Sequence, residues 1–193
     1  MTGHKQPYYI TTPIYYVNDK PHIGHAYTTL ACDVLARFKR LDGYDVFFLT
    51  GTDEHGEPVA DVAEREGVSP RELADRNVVH FKEMVARVNA SNDFFIRTSD
   101  PEHVAAVQRF MQTLYDNGQI YPGTYEGWYC PRCADFKTER ELGPGNTCPI
   151  HEIPLEKERE ENYFFKLSAF QAQLEGLYEE RPDFVVPEFR RNE

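Results

Sequence analysis

Apolar and polar positions along this chain follow two different periods, and each change of period marks an element. The opening run Tyr8-Tyr9-Ile10-Thr11-Thr12-Pro13-Ile14-Tyr15-Tyr16-Val17 is dense in β-branched and aromatic residues, which predicts a buried strand ending near Tyr16. Asn18-Asp19-Lys20-Pro21 then supplies turn chemistry. From Gly24 the spacing becomes helical, with Ala26, Leu30, Val34, Phe38 and Leu41 on one face and Gly43 as the stop. A short apolar run from Asp45 to Thr50 predicts a second strand, followed at once by Gly51-Thr52-Asp53-Glu54-His55-Gly56.

A polar helix is expected from about Glu57 to Glu66, closed by Gly67. Ser69-Pro70-Arg71-Glu72 has the form of a capping box with proline at the first helical position, opening a helix whose stripe includes Leu73, Phe81, Met84, Val85 and Val88. Asp93-Phe94-Phe95-Ile96-Arg97 is a third short strand, and Asp100-Pro101 starts a helix through Val104, Val107, Met111 and Leu114 to Gly118. Strand and helix alternating in this way predict an α/β fold, a parallel sheet wrapped by helices. Near Gln119 the character shifts: Tyr121 to Tyr129 is aromatic and glycine-rich, and cysteines follow. Beyond them lie a strand-like Asn162 to Leu167 and a helix capped by Ser168 with Gln171 behind it. The domain boundary is placed near 117, with no internal repeat and no low-complexity linker.

Composition narrows the partners. The chain of 193 residues is 40% hydrophobic and 13% aromatic, a globular rather than a disordered mixture. Its 21 lysines and arginines face 32 aspartates and glutamates, a net charge of −11, so a polyanion meets an unfavourable overall field. Contact with nucleic acid then requires a local basic patch or another part of the protein. No apolar run approaches the roughly 20 residues that span a bilayer. Met1 to Pro7 has no apolar core of the secretory kind. A cytoplasmic location is expected, with neither a membrane nor DNA as partner.

Two constellations carry chemistry. His22-Ile23-Gly24-His25 sits between a buried strand and a helix, where α/β sheets place ligands. A helix N-terminus offers free N–H groups and partial positive charge to phosphate. Gly24 lets a base or phosphate approach the backbone, and two histidines three apart can both donate to one phosphoryl group. The plainer alternative is a histidine pair that only decorates a helix start. In the second constellation, Cys130-Pro131-Arg132-Cys133 is followed fourteen residues later by Cys148-Pro149-Ile150-His151. Three thiolates and an imidazole at this spacing can close a tetrahedral shell around a structural Zn²⁺; the alternative is reduced, buried cysteines beside an incidental histidine. Cys32 falls near the apolar stripe of the first helix and is expected to be a packed small residue.

His22-Ile23-Gly24-His25 matches the signature of class I aminoacyl-tRNA synthetases and related nucleotidyltransferases. With the lead-in Thr11 to Asn18 and the segment Gly51 to Gly56, the chain resembles bacterial methionyl-tRNA synthetases over essentially all of its length, as an amino-terminal fragment. That resemblance implies the first half of a Rossmann-like catalytic domain over 1–117, then the start of a connective domain over 118–193 with a zinc knuckle at 130–151. It implies ATP-dependent activation of L-methionine to methionyl adenylate and transfer to tRNA(Met), with Mg²⁺ accompanying ATP. It assigns His22, Gly24 and His25 to ATP, the two histidines as catalytic. Ile14, Tyr16 and Asp53 are assigned to methionine, Asp53 holding the α-amino group; the alternatives are strand-core residues and a solvated turn aspartate. Cys130, Cys133, Cys148 and His151 would be the Zn²⁺ ligands.

The family's lysine-rich Lys-Met-Ser-Lys-Ser-type loop, most of the methionine pocket and the anticodon-reading helical domain have no counterpart in these residues. The chain alone is therefore expected not to form methionyl adenylate at a useful rate. It is also expected to be marginally stable, with an exposed apolar sheet edge. The rival readings are a different synthetase or a small-molecule nucleotidyltransferase, and a truncated paralogue acting as a non-catalytic, zinc-bearing tRNA-binding module.

Overall fold

In the computed structural model, which describes residues 5–133 and 135–191, the opening apolar run is two strands rather than one. These are β1 (Pro7–Thr11) and β2 (Tyr15–Tyr16), followed by α1 (Ile23–Leu41) and β3 (Asp45–Asp53). β1 and β2 lie end to end along one side of β3, both parallel to it. Thr11 pairs with Leu49 but Tyr15 pairs with Thr52, so four steps along one strand match three along the other. The extra residue is a bulge at Thr12-Pro13-Ile14, where proline has no N–H to give to a ladder. Thr12 stays anchored there, its N–H on the Leu49 carbonyl at 3.1 Å and its hydroxyl 2.7 Å from that of Thr50.

The second strand is also longer than the apolar run alone suggests. β3 continues through Gly51-Thr52-Asp53, which places Asp53 on the strand's last position. α2 (Glu57–Glu66) and α3 (Pro70–Arg87) follow, then β4 (Phe94–Arg97) parallel to β3 on its other side. A Cβ added at Gly51 would sit 2.1 Å from the Ile96 carbonyl oxygen, so close approach of β4 to β3 requires glycine there.

One face of this sheet is covered. Tyr15, Val17, Val59, Ala63, Leu73, Ala74 and Phe81 form a single buried cluster joining β2 to α2 and α3. Each fully buried large side chain in it contributes roughly 1.5–3 kcal/mol. The opposite face carries Tyr9, Phe47 and Phe94, each about half exposed, with Tyr9 and Phe47 stacked at 6.1 Å. Tyr9 on β1 and Phe94 on β4 stand on the two edge strands, so apolar exposure reaches from this face to the sheet's edges.

α1 turns the other way from the sequence expectation. Its periodic apolar residues face out, Val34 at 64% and Leu41 at 89% exposed, while Thr29, Asp33 and Ala36 are buried. Buried hydrogen bonds hold the polar side in. The Thr29 hydroxyl lies 3.0 Å from that of Tyr15, and Asp33 accepts from Arg37 and from the Ser91 N–H and hydroxyl. Cys32, half-buried, points its Sγ at the Thr11 carbonyl 3.7 Å away, and burial pushes its thiol up.

The chain divides into two compact units, Met1–Gln108 and Arg109–Glu193, along the course of α4 (Pro101–Asp116). In the second, β5 (Ile120–Cys130) pairs antiparallel with β6 (Asp135–Lys137) on one side and β7 (Glu156–Phe165) on the other. The aromatic, glycine-rich stretch is therefore an unbroken strand, and β7 begins six residues before the expected Asn162. A 3-10 turn at Leu167–Phe170 leads into α5 (Gln171–Glu180) in place of a Ser168-capped helix.

Candidate active site and metal centre

The histidine pair is built into the start of α1 as a capping box. His22 is the cap residue, with extended backbone, and its Nδ1 accepts the Gly24 N–H at 3.1 Å. His25, in the third helical position, returns the bond: its Nδ1 accepts the His22 N–H at 3.0 Å. An N–H donor requires a lone pair on each Nδ1, so the neutral rings carry their protons on Nε2. Both Nε2–H groups remain as donors beyond the cap. The ring centroids are 3.9 Å apart. Burial, and then the neighbouring His22, hold the His25 imidazole below its ordinary value, so it is neutral near pH 7. A Cβ at Gly24 would meet the His22 ring at 2.9 Å, so its absence makes room for the folded-back imidazole that caps the helix.

Both histidines line a cleft of about 380 Å³ together with Ile14, Tyr16 and Lys20. Tyr15 lines the same cleft from its buried side. After the extra residue, Tyr15 and Val17 turn inward and are buried, while Ile14 (39%) and Tyr16 (51%) stay exposed. Asp53 pairs directly with Tyr16, and parallel partners direct their side chains to the same side of a sheet. Tyr16 and Asp53 therefore share one face at the carboxyl end of the strands; Ile14 and Tyr16 line the cleft beside the histidines, and Asp53 is not among its lining residues. Tyr15, absent from the sequence-predicted set, supports the pair from beneath, its ring edge-on to His25 at 4.7 Å. Lys20 was legible only as part of a turn.

Behind Asp53 lies a buried ion network that the sequence did not announce. The Glu54 carboxylate is buried and accepts from Arg97 Nε at 2.7 Å, from the Thr52 hydroxyl at 2.8 Å and from Ser99. Burial alone pushes this carboxyl up; the bonds from Arg97, Ser99 and Thr52 outweigh it and hold it below the usual range. Arg97 also reaches Asp75 on α3 at 2.5 Å. A paired, fully bonded charge of this kind rigidifies its surroundings, and here it fixes the residue following Asp53. His55 is exposed, with Nε2 3.4 Å from the Thr98 carbonyl.

In the second unit, Cys130, Cys133, Cys148 and His151 converge, their ligand atoms all within 4.8 Å of one another. A tetrahedral shell with metal–sulfur bonds of about 2.3 Å spaces its sulfurs about 3.8 Å apart. Cys133 and Cys148 sulfurs stand 3.6 Å apart, and His151 Nδ1 lies 3.7, 3.2 and 3.6 Å from the sulfurs of Cys130, Cys133 and Cys148. Burial pushes the Cys148 thiol up, but the His151 and Ile150 N–H groups and neighbouring side chains bring it down to about 6. Burial and the adjoining Cys130 and Cys148 thiols push Cys133 up to about 11. Three sulfurs this close repel one another as thiolates, and a divalent cation among them relieves that repulsion. The donor set and its spacing fit a metal ion. Trp128, the chain's single tryptophan, packs against the same cluster.

A parallel α/β sheet whose strand-end cleft is walled by a helix N-terminus is the arrangement of a nucleotide-binding fold. The family described as tRNA synthetases class I (M) matches residues 8–157, and the chain belongs to it. It is 53% identical over 189 residues to a methionine–tRNA ligase of Caldanaerobacter subterraneus subsp. tengcongensis, an alignment covering 98% of this chain and 30% of that protein. The methionine–tRNA ligase of Thermotoga maritima is 50% identical over 189 residues, covering 96% of this chain and 30% of the relative. In structure it is similar to Mycobacterium tuberculosis methionyl-tRNA synthetase in complex with methionyl-adenylate, with a TM-score of 0.89 and 46% identity, covering 97% of this chain and 37% of that one. The chain thus spans about 30% of the length of these curated relatives. Among the described residues, no helix is long and apolar enough to cross a membrane.

Proposed function

We propose that this chain forms part of a cytoplasmic methionine–tRNA ligase, supplying the cleft in which ATP and L-methionine meet. Residues 1–117 would be the first half of the Rossmann-like catalytic domain, and residues 118–193 the start of a connective domain. The observation that carries the reading is the His22–His25 capping box, with both Nδ1 atoms taken by backbone N–H groups, in one cleft with Ile14 and Tyr16.

In the reaction, the methionine carboxylate attacks the α-phosphorus of ATP, the bond to the bridging oxygen breaks, and pyrophosphate leaves with that electron pair. Charge accumulates on the non-bridging oxygens as the phosphorus becomes crowded. Two Nε2–H donors, fixed in place before substrate arrives, stabilise that charge without reorganisation. A neutral His25 suits the task, since a protonated ring would lose the lone pair that holds the cap. Asp53 pairs with the methionine ammonium, and Ile14 and Tyr16 flank the side chain and adenylate. Mg²⁺ accompanying ATP would spread the phosphate charge. Transfer of methionine to the terminal adenosine of tRNA(Met) follows. Cys130, Cys133, Cys148 and His151 would hold one Zn²⁺, whose role is to cross-link the knuckle, because four protein ligands leave no open position.

Calorimetric titration with a non-hydrolysable methionyl-adenylate analogue tests the proposal. D53N is expected to weaken binding at least tenfold. An unaltered affinity in D53N overturns it. For the knuckle, one zinc per chain by elemental analysis and a change in Trp128 fluorescence on chelation are expected.

A further inference from the structure

The residues on either side of Asp53 are tied down by several bonds each. Thr52 and Glu54 are buried, while Asp53 between them is half-buried. Among the described residues, its carboxylate has no hydrogen-bond or ion-pair partner. A carboxylate partly withdrawn from water and left unpaired gains from a cation that joins it. The Thr52 hydroxyl donates to the Glu54 carboxylate at 2.8 Å, so these two side chains lie on one side of the chain. The alternation of an extended strand then sends Asp53 to the other side.

A single residue holds both peptide groups that flank Asp53. The Thr98 N–H donates to the Thr52 carbonyl at 3.2 Å, and the Thr98 hydroxyl accepts the Glu54 N–H at 2.9 Å. Thr98 is itself buried. Arg97, the ladder partner of Thr52, secures what comes next. Its guanidinium, 13% exposed, donates to Glu54 at 2.7 Å and to Asp75 on α3 at 2.5 Å. Its own N–H is bonded to the Asp100 carboxylate at 3.3 Å, and the Ser99 hydroxyl donates to Glu54. The segment Arg97 to Asp100 is thus laced to the end of β3.

We infer that Arg97 and Thr98 are positioning residues for Asp53, holding its free carboxylate where the methionine α-ammonium arrives. The inference rests on the function proposed above, in which Asp53 pairs with that ammonium. Thr98 acts through the two peptide groups, and Arg97 acts through the Glu54 side chain. A charge fixed before the ligand binds loses no freedom when it does. Buried ion pairs of this kind often add no stability over apolar residues of the same volume, so what Arg97 and Glu54 supply is direction.

The test is calorimetric titration of this chain with two ligands: the non-hydrolysable methionyl-adenylate analogue, and the same molecule without its α-amino group. The unaltered chain is expected to prefer the amino-bearing ligand about tenfold, and D53N to lose that preference. T98V removes the hydroxyl and keeps the shape. R97M/E54Q removes both buried charges together, so no lone charge is left in the interior. In both variants, affinity for the amino-bearing ligand should fall about fivefold while affinity for the other ligand is unchanged. T98S should restore the preference. Denaturant melts report the folding of each variant, and T98V alone decides if R97M/E54Q does not fold. A purely structural role would lower both affinities alike. That result, or an unaltered preference in the folded variants, overturns the inference and leaves the proposed function standing if D53N behaves as expected. A preference unchanged in D53N, or a chain that binds neither ligand, overturns the proposed function and this inference with it.

Discussion

Two helices of this chain begin with the same hydrogen-bonded motif and use it for different ends. At α3, Ser69 accepts the Glu72 N–H, and Glu72 accepts the Ser69 N–H at 2.8 Å. At α1, His25 Nδ1 accepts the His22 N–H in the same way, while His22 Nδ1 takes the Gly24 N–H, one residue nearer than in the α3 box. Serine and glutamate are the ordinary choice for this geometry. Histidine is not, and what it adds is a second nitrogen on each ring, two bonds beyond the one the cap uses. The comparison teaches that the α1 cap is also a mount: the backbone fixes the tautomer and orientation of two donors, and function uses the atoms that the cap leaves over.

Exchanging the motifs gives the largest expected effect. H22S/H25E installs the α3 box at α1, and stability should hold or rise by about 0.5 kcal/mol. Affinity for the methionyl-adenylate analogue should fall about 100-fold, since the oxyanion donors are gone. Denaturant melts and titration calorimetry read the two quantities separately; retained affinity would show that the rings serve only as caps. Next, S69A removes the α3 cap and should cost about 1 kcal/mol with no change in analogue affinity. A loss of affinity there would break the division between the two boxes.

The smallest effect is on pH. His25 is held below 6.5 by burial and by His22, so the unfolded chain binds its proton first. The α1 box is therefore fully stabilising above about pH 6.5 and weakens as pH falls below it. Glu72 is held below 4.5 by the hydrogen bonds of Ser69, so the α3 box persists until pH falls through that lower value. Between these limits, the amide resonances of His22 and Gly24 should shift while those of Ser69 and Glu72 stay fixed. Simultaneous shifts at both helices would contradict the assignment.

What could be read from sequence depended on how local the deciding interaction is. The Ser69 box, α2 and the ligand spacing of the Cys130–His151 cluster are set by residues a few positions apart, and each stands where the sequence placed it. The orientation of α1 is not local. Its apolar period was visible, but the buried side follows Asp33 and Thr29, whose partners Ser91 and Tyr15 lie 58 and 14 residues away. The break at Thr12-Pro13-Ile14 depends on register with β3, and Glu54 depends on Arg97, 43 residues on. The strand's apolar run reads only as far as Thr50, because the Gly51-Thr52 pair ends the apolar pattern before it ends the strand.

The extra residue beside Pro13 acts as a parity bit for everything downstream of it in that strand. Substitutions there alter one contact each, but removing a single residue would carry Tyr15 and Val17 out of the buried cluster and drive Tyr16 into the packed interior. In that segment the loss of one residue therefore disturbs more of the molecule than the exchange of one.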